Sequence, residues 1–227
     1  MEEGMNTLSQ KSVFFVVALF SLALLCPSAG SAGIITDDLK TAVDKVLGIM
    51  QNPAYGAPDK KEERQKLINT VIAGKFDWEE MSRRALGVHW RDFTPPQQKE
   101  FVAIFSDFLE RTYISKVDLF LKEEKSFSAN NIVYTKETIE EQYALVDSKV
   151  ALKEDEIPLS YKLINKGGKW VVYDMTLEGV GIVANYRTQF SELLANGSYE
   201  KLIQKLKSKQ GEGDIIEKAP AAARAKQ

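Results

Sequence analysis

KWVVYDMTLEGVGIVANYRTQF, residues 169–190, changes its periodicity half-way along. Val171, Tyr173, Met175 and Leu177 alternate, as one face of a pleated strand does. Val183, Tyr186 and Phe190 then recur at three- and four-residue steps, as one face of a helix does. The reading is a strand that ends at Gly179 and turns at once into a helix, with both elements lining one apolar space. The segment holds no nucleophile, metal-ligand cluster or phosphate-binding loop. It reads as part of a molecule that encloses an apolar ligand rather than one that cuts it.

Working outward, residues 127–134, 139–152 and 157–165 also read as strands, with 169–178 the fourth. Ile157, Leu159, Tyr161 and Leu163 alternate cleanly, and Gly167-Gly168 is a tight hairpin signal. Four strands joined by short turns make an antiparallel meander. A helix over 180–195 follows, ended by Asn196-Gly197. Ser198 then caps a last amphipathic helix carrying Leu202, Ile203 and Leu206. Before the strands the period is helical. Thr36-Asp37-Asp38 opens a first helix with a Leu39, Val43, Val46, Leu47, Met50 stripe, stopped by Pro53. A second helix covers 59–73. Asp77-Trp78-Glu79-Glu80 fits a capping box, with Glu80 reaching back, and the helix it opens ends at Gly87. Thr94-Pro95-Pro96-Gln97 starts the longest helix, to about residue 120, with Phe101, Ile104, Phe105, Phe108, Leu109 and Tyr113 as a broad aromatic face. The layout is α+β: a four-stranded antiparallel curved sheet packed against several helices, with an apolar cavity between them. The aromatic helix and the helix at 180–195 are expected to cover one sheet face. No internal repeat or second domain is visible.

The 227 residues divide into three stretches. Residues 1–32 read as a cleavable secretory signal peptide: Lys11, an apolar run from Val13 to Leu25, then PSAGSAG. Met5 is a possible start, and cleavage after Ala32 or Gly30 fits. The run is too short to span a bilayer comfortably. Cys26, the single cysteine, lacks the small preceding residue that lipid attachment needs, and it leaves with the leader. The remaining chain then has no disulfide and depends on a packed core. Residues 33–209 form one domain, long enough for a sizeable core. Residues 210–227, rich in Gly, Ala and charge, read as a disordered tail. The formal charge is −2, of which the leader carries −1. That balance gives no reason to expect nucleic acid as a partner.

Three stretches together resemble the MlaC, or toluene-tolerance, family. They are FDWEEMSRRALGVHWRDFTPPQQKEFVAIFSDFLERTY (76–113), IPLSYKLINKGGKWVVYD (157–174) and LEGVGIVANYRTQF (177–190). The spacing of Arg84, Leu86, Gly87, Trp90, Pro96, Phe101 and Phe105, then Trp170, Asp174, Gly179, Tyr186, Arg187 and Phe190, carries the resemblance. The chain departs from it at Gly181, where the family often has serine, and in the tail. The resemblance implies a soluble periplasmic phospholipid carrier, not an enzyme. Phospholipid would be its cargo, and it would need no cofactor. It would exchange lipid with an outer-membrane lipoprotein–porin complex and with an inner-membrane MCE-domain protein that works with an ABC transporter, and so serve outer-membrane lipid asymmetry.

The wall candidates for such a cargo are Phe105, Phe108, Leu109 and Tyr113 on the long helix. Tyr161, Leu163, Tyr173 and Met175 come from the sheet, and Val183 and Tyr186 from the following helix. An aromatic stripe at helical spacing also describes ordinary core. Asp174, on the opposite strand face from Tyr173 and Met175, is either an acid paired with Arg187 or Arg84, or a buried base in a pocketed isomerase or hydratase. His89, the single histidine, has no marked catalytic partner, and without cysteine it makes no metal site. Arg187 suits either a phosphate or a salt bridge between helices. The charge run at 60–64 and the lysines of the last helix read as solvated faces.

Overall fold

The computed structural model describes residues 33–208, apart from Glu154 and Asn196. The leader at 1–32 with Cys26, the tail, and the Asn196 half of the helix stop lie outside the described residues. Among the described residues, six α-helices and five strands follow in order: α1 Ile34–Gln51, α2 Lys61–Ile72, α3 Trp78–Leu86, α4 Pro95–Glu123, β1 Ile132–Glu140, β2 Tyr143–Ala151, β3 Glu156–Lys166, β4 Lys169–Leu177, β5 Val180–Gly181, α5 Ile182–Ala195 and α6 Tyr199–Lys207. Among the described residues, no helix is long and apolar enough to cross a membrane.

The local signals explain most boundaries. Gln97 accepts the Thr94 N–H at 2.9 Å and so ties down the start of α4. Gly87 ends α3 at φ +57°, a conformation that disfavours any residue with a Cβ. Two capping expectations change. Asp77 does accept the Glu80 N–H at 3.1 Å. Glu80, however, does not reach back. Its carboxylate binds Arg83 and Arg84 at 2.7 and 2.6 Å, and the Asp77 N–H goes to Val172 O at 2.8 Å. Thr36 is not a cap either, because α1 starts at Ile34. The Thr36 N–H and hydroxyl instead donate to Glu137 Oε2 of β1, at 2.8 and 2.6 Å.

The sheet has five strands rather than four, in the order β1-β2-β3-β4-β5, each antiparallel to its neighbour. Glu178 and Gly179 both sit at positive φ, 51° and 80°, and fold Val180 and Gly181 back onto Leu177 and Thr176. Two successive residues of that kind make the two-residue hairpin turn that matches strand twist. The first two expected strands also move. Residues 127–131 are not a strand but lead through a 3-10 turn at Ala129–Asn131. The hairpin lies between Glu140 and Tyr143, with Glu141 at φ 54°. A bulge between Tyr134 and Lys136 breaks the alternation that would have marked β1.

On the sheet, α1 packs directly and α5 is tied to β4 as expected, whereas the aromatic helix α4 faces the sheet across an open space. Ile35 and Leu39 pack on Ala144, Val146, Tyr161, Leu163 and Val172. The aromatic face of α4 builds a separate core with the neighbouring helices. Phe101, Phe105 and Phe108 meet Tyr186 and Phe190 of α5, Met81, Ala85 and Leu86 of α3, and Leu202, Ile203 and Leu206 of α6. The Phe105 ring lies edge-on to Tyr186 and to Phe190, at 5.3 and 5.2 Å between centroids, a favoured aromatic geometry.

Candidate functional site

Between the two cores lies a cavity of about 360 Å³. Small-molecule sites span about 300–1,000 Å³. An engineered apolar cavity of about 150 Å³ already stays dry. Each element contributes to the wall in the way its periodicity dictates. From α1 come Leu39, Ala42, Val43, Val46, Leu47 and Met50, the stripe at three- and four-residue steps. From α2 come Ile68 and Ile72, and from α4 Leu109, Glu110, Tyr113, Ile114 and Val117. Phe76, Trp78 and Met81 close one side, with Phe127 and Ile132 on another. Leu159 and Tyr161 of β3, Val172, Met175 and Leu177 of β4, and Ile182 form the sheet side.

The atoms facing the space are almost all apolar, and the wall's two charged residues, Lys75 and Glu110, supply their aliphatic stems. Lys75 Nζ pairs with Asp38 at 2.5 Å. Burial pushes the Glu110 carboxyl up, and the nearby Asp107 pushes it the same way. The Tyr113 hydroxyl, bonded to Tyr186, is pushed up to about 12 by burial. Burial likewise raises Tyr161 and Tyr186, so all three rings stay neutral over any working pH. Chemically the arrangement can hold hydrocarbon. Among the described residues, no group of His, Cys, Asp and Glu side chains could hold a metal ion.

Residues 40–208 match the family described as MlaC protein. The chain belongs to the MlaC family. Its fold is similar to that of a phospholipid-binding protein from Ralstonia solanacearum, solved in complex with a phospholipid. The TM-score is 0.61 at 24% identity, over 79% of this chain and 97% of that one.

Four of the ten wall candidates line the cavity of this MlaC-family chain: Leu109, Tyr113, Tyr161 and Met175. Phe105, Phe108, Val183 and Tyr186 lie in the filled helical core instead. Leu163 is buried on the sheet in the cluster that includes Ile35 and Leu39 of α1. Tyr173 turns away, with the Arg84 guanidinium 4.3 Å from its ring centre and Tyr143 6.0 Å away. A bulge is the cause. Lys162 pairs with Asp174 but Leu163 pairs with Val172, so Tyr173 is an extra residue and the faces exchange beyond it. Val172 therefore joins Met175 and Leu177 on the wall. Strict alternation across 171–177 assigns it to the wrong face.

The α1 and α2 wall residues were not among the candidates. Their stripe was visible, but nothing in a stripe says that the space opposite is hollow. Asp174 is not a wall residue, and its partners are neither Arg187 nor Arg84. Its Oδ1 accepts the Val183 N–H at 3.0 Å, and its Oδ2 lies 3.1 Å from Lys162 Nζ. The carboxylate thus caps α5 from the neighbouring strand, in the place where Gly181 offers no side-chain oxygen. Arg187 donates from Nε to the Arg84 carbonyl at 2.7 Å, which ties α5 to α3. His89 sits in the turn after α3, with Nδ1 3.4 Å from Asp92.

Proposed function

We propose that this protein is a periplasmic phospholipid carrier, the soluble component of an ABC-type lipid transport system. It takes acyl chains into the cavity between α1, α2, α4 and the sheet. The observation that carries the reading is that cavity: large, and walled by carbon. Membership of the MlaC family and the phospholipid complex of the Ralstonia protein of similar fold support it. Each buried methylene is worth about 0.8 kcal/mol, so an acyl chain of about sixteen carbons resists leaving a bilayer by about 12 kcal/mol. A cavity that substitutes for the bilayer as solvent removes most of that cost. The protein then needs no chemistry of its own. Direction must come from its partners, since transfer between equivalent apolar sites is nearly neutral. The partners are an outer-membrane lipoprotein–porin complex and an inner-membrane MCE-domain protein with its ABC transporter. The carrier reading is favoured over a pocketed enzyme using Asp174, because Asp174 binds the Val183 N–H and Lys162 and does not line the cavity.

The test is solvent extraction of the purified protein followed by mass spectrometry. Diacyl lipid should be recovered in near-stoichiometric amount. Protein that emerges free of lipid and takes none from vesicles would sink the carrier reading.

A further inference from the structure

Helix α1 carries one wall of the cavity, and its first turn is fastened to the sheet by Glu137 of β1. Glu137 Oε2 accepts both the Thr36 N–H and the Thr36 hydroxyl, at 2.8 and 2.6 Å. Among the described residues, Oε1 accepts no hydrogen bond. It lies against Gly33, where an added Cβ would stand only 2.0 Å from it. Bond lengths and angles at Cα then place the Gly33 nitrogen within about 4.5 Å of Oε1. Gly33 is itself held in place, because its carbonyl accepts the Asp37 N–H at 3.0 Å as α1 begins. A carboxylate oxygen without a donor thus lies beside the backbone nitrogen that follows Ala32, where the leader is expected to be cut.

We propose that cleavage between Ala32 and Gly33 creates the missing partner of Glu137: the new α-ammonium of Gly33 pairs with Oε1 and completes the attachment of α1 to the sheet. Hydrolysis of that bond by a signal peptidase consumes one water, leaving the Ala32 carboxylate on the leader and the Gly33 ammonium on the domain. The dipole of α1 opposes a positive charge at its N-terminus, so the ammonium needs an anion close by. Asp38 is already held by Lys75, at 2.5 Å. Asp37 is exposed and Glu137 half-buried, so Glu137 offers the less screened pairing. Cleavage after Gly30 would leave an uncharged amide at this place, so the geometry favours the Ala32 site over the Gly30 site. The inference rests on the reading of residues 1–32 as a secretory leader, which the periplasmic assignment above also needs.

The experiment expresses the full-length gene in a Gram-negative host, purifies the protein from the periplasm and sequences its N-terminus, which should be Gly33. The native protein is then acylated at neutral pH, and labelling of the α-amine is followed in tryptic peptide 33–40. Pairing keeps the amine protonated and unreactive, so it should react about three- to tenfold more slowly than the same amine in synthetic peptide 33–40. Glu137→Gln retains an acceptor for Thr36 and should restore the peptide's rate, whereas Asp37→Asn should not; circular dichroism checks that both variants are folded. If Glu137→Gln does not fold, the wild-type rate against the peptide's decides alone. A first residue other than Gly33 overturns the pairing and leaves the carrier intact. So does a wild-type rate equal to the peptide's, a Glu137→Gln rate equal to the wild type's, or restoration by Asp37→Asn. Protein that keeps residues 1–32 overturns the leader and the pairing together, while lipid extracted from the same preparation tests the carrier separately.

Discussion

The two halves of α4 carry similar apolar stripes and meet opposite fates. In the first half, Phe101, Phe105 and Phe108 are fully buried in solid packing. In the second, Tyr113, Ile114 and Val117 face open space. The difference lies in what stands opposite. Across from the first half, α5 brings Tyr186 and Phe190, whose rings interlock edge to face with those of α4. Across from the second half, α1 and α2 bring Leu39, Ala42, Val43, Val46, Leu47, Met50, Ile68 and Ile72 and no aromatic ring. Aliphatic side chains on that wall leave unfilled volume where rings would close it. A hollow, in this protein, is a place where the neighbouring helices stop supplying aromatic rings.

The comparison can be broken most sharply at Phe105. Phe105→Ala in the solid half should lower unfolding stability by about 3–5 kcal/mol, as expected for truncating a buried aromatic. Urea titration measures it. A loss below about 1 kcal/mol would show that this core is not solid. Adding volume distinguishes the halves next. Ala85→Leu, in the filled core at 0% exposure, should cost about 1–3 kcal/mol through overpacking. Val46→Phe, projecting into the cavity, should cost less than about 1 kcal/mol and reduce bound lipid. Equal penalties at the two sites would contradict the contrast. The smallest effect is expected at Asp174. Asp174→Asn keeps an acceptor for the Val183 N–H but loses the charge at the α5 terminus and its pairing with Lys162. It should cost about 1 kcal/mol and leave lipid content unchanged. Lost lipid with stability intact would place Asp174 in the binding site after all.

Much of the fold is readable from local chemistry. The Thr94–Gln97 start of α4, the Gly87 stop of α3 and the hairpin at Gly167-Gly168 each rest on one or two residues whose conformational demands are met nearby. What misleads is parity. One extra residue at Tyr173, and another between Tyr134 and Lys136, reverses every inside-or-outside assignment on one side of it. A bulge depends on how the partner strand is met, so a strand read alone does not declare it. The fifth strand escaped for a related reason. Glu178 is not a usual turn residue at positive φ, and only pairing with Thr176 and Leu177 makes β5 a strand.

The candidate site divides in the same way. Leu109, Tyr113, Tyr161 and Met175 were readable because they lie on apolar faces of the elements expected to enclose the space. Phe105, Phe108 and Tyr186 have stronger aromatic signals, and they fill the core rather than line the cavity. Size and hydrophobicity mark a residue that will be buried, not whether its neighbours leave room beside it.

By itself, the order of residues determined the helices, the meander, the apolar stripes and the family, because each follows from spacing along the chain and from local backbone preference. Only the tertiary structure decided which stripe meets aromatic rings and which meets aliphatic side chains. That choice decides where the interior is filled and where it is hollow. Volume between elements belongs to pairs of surfaces, and no single segment encodes it.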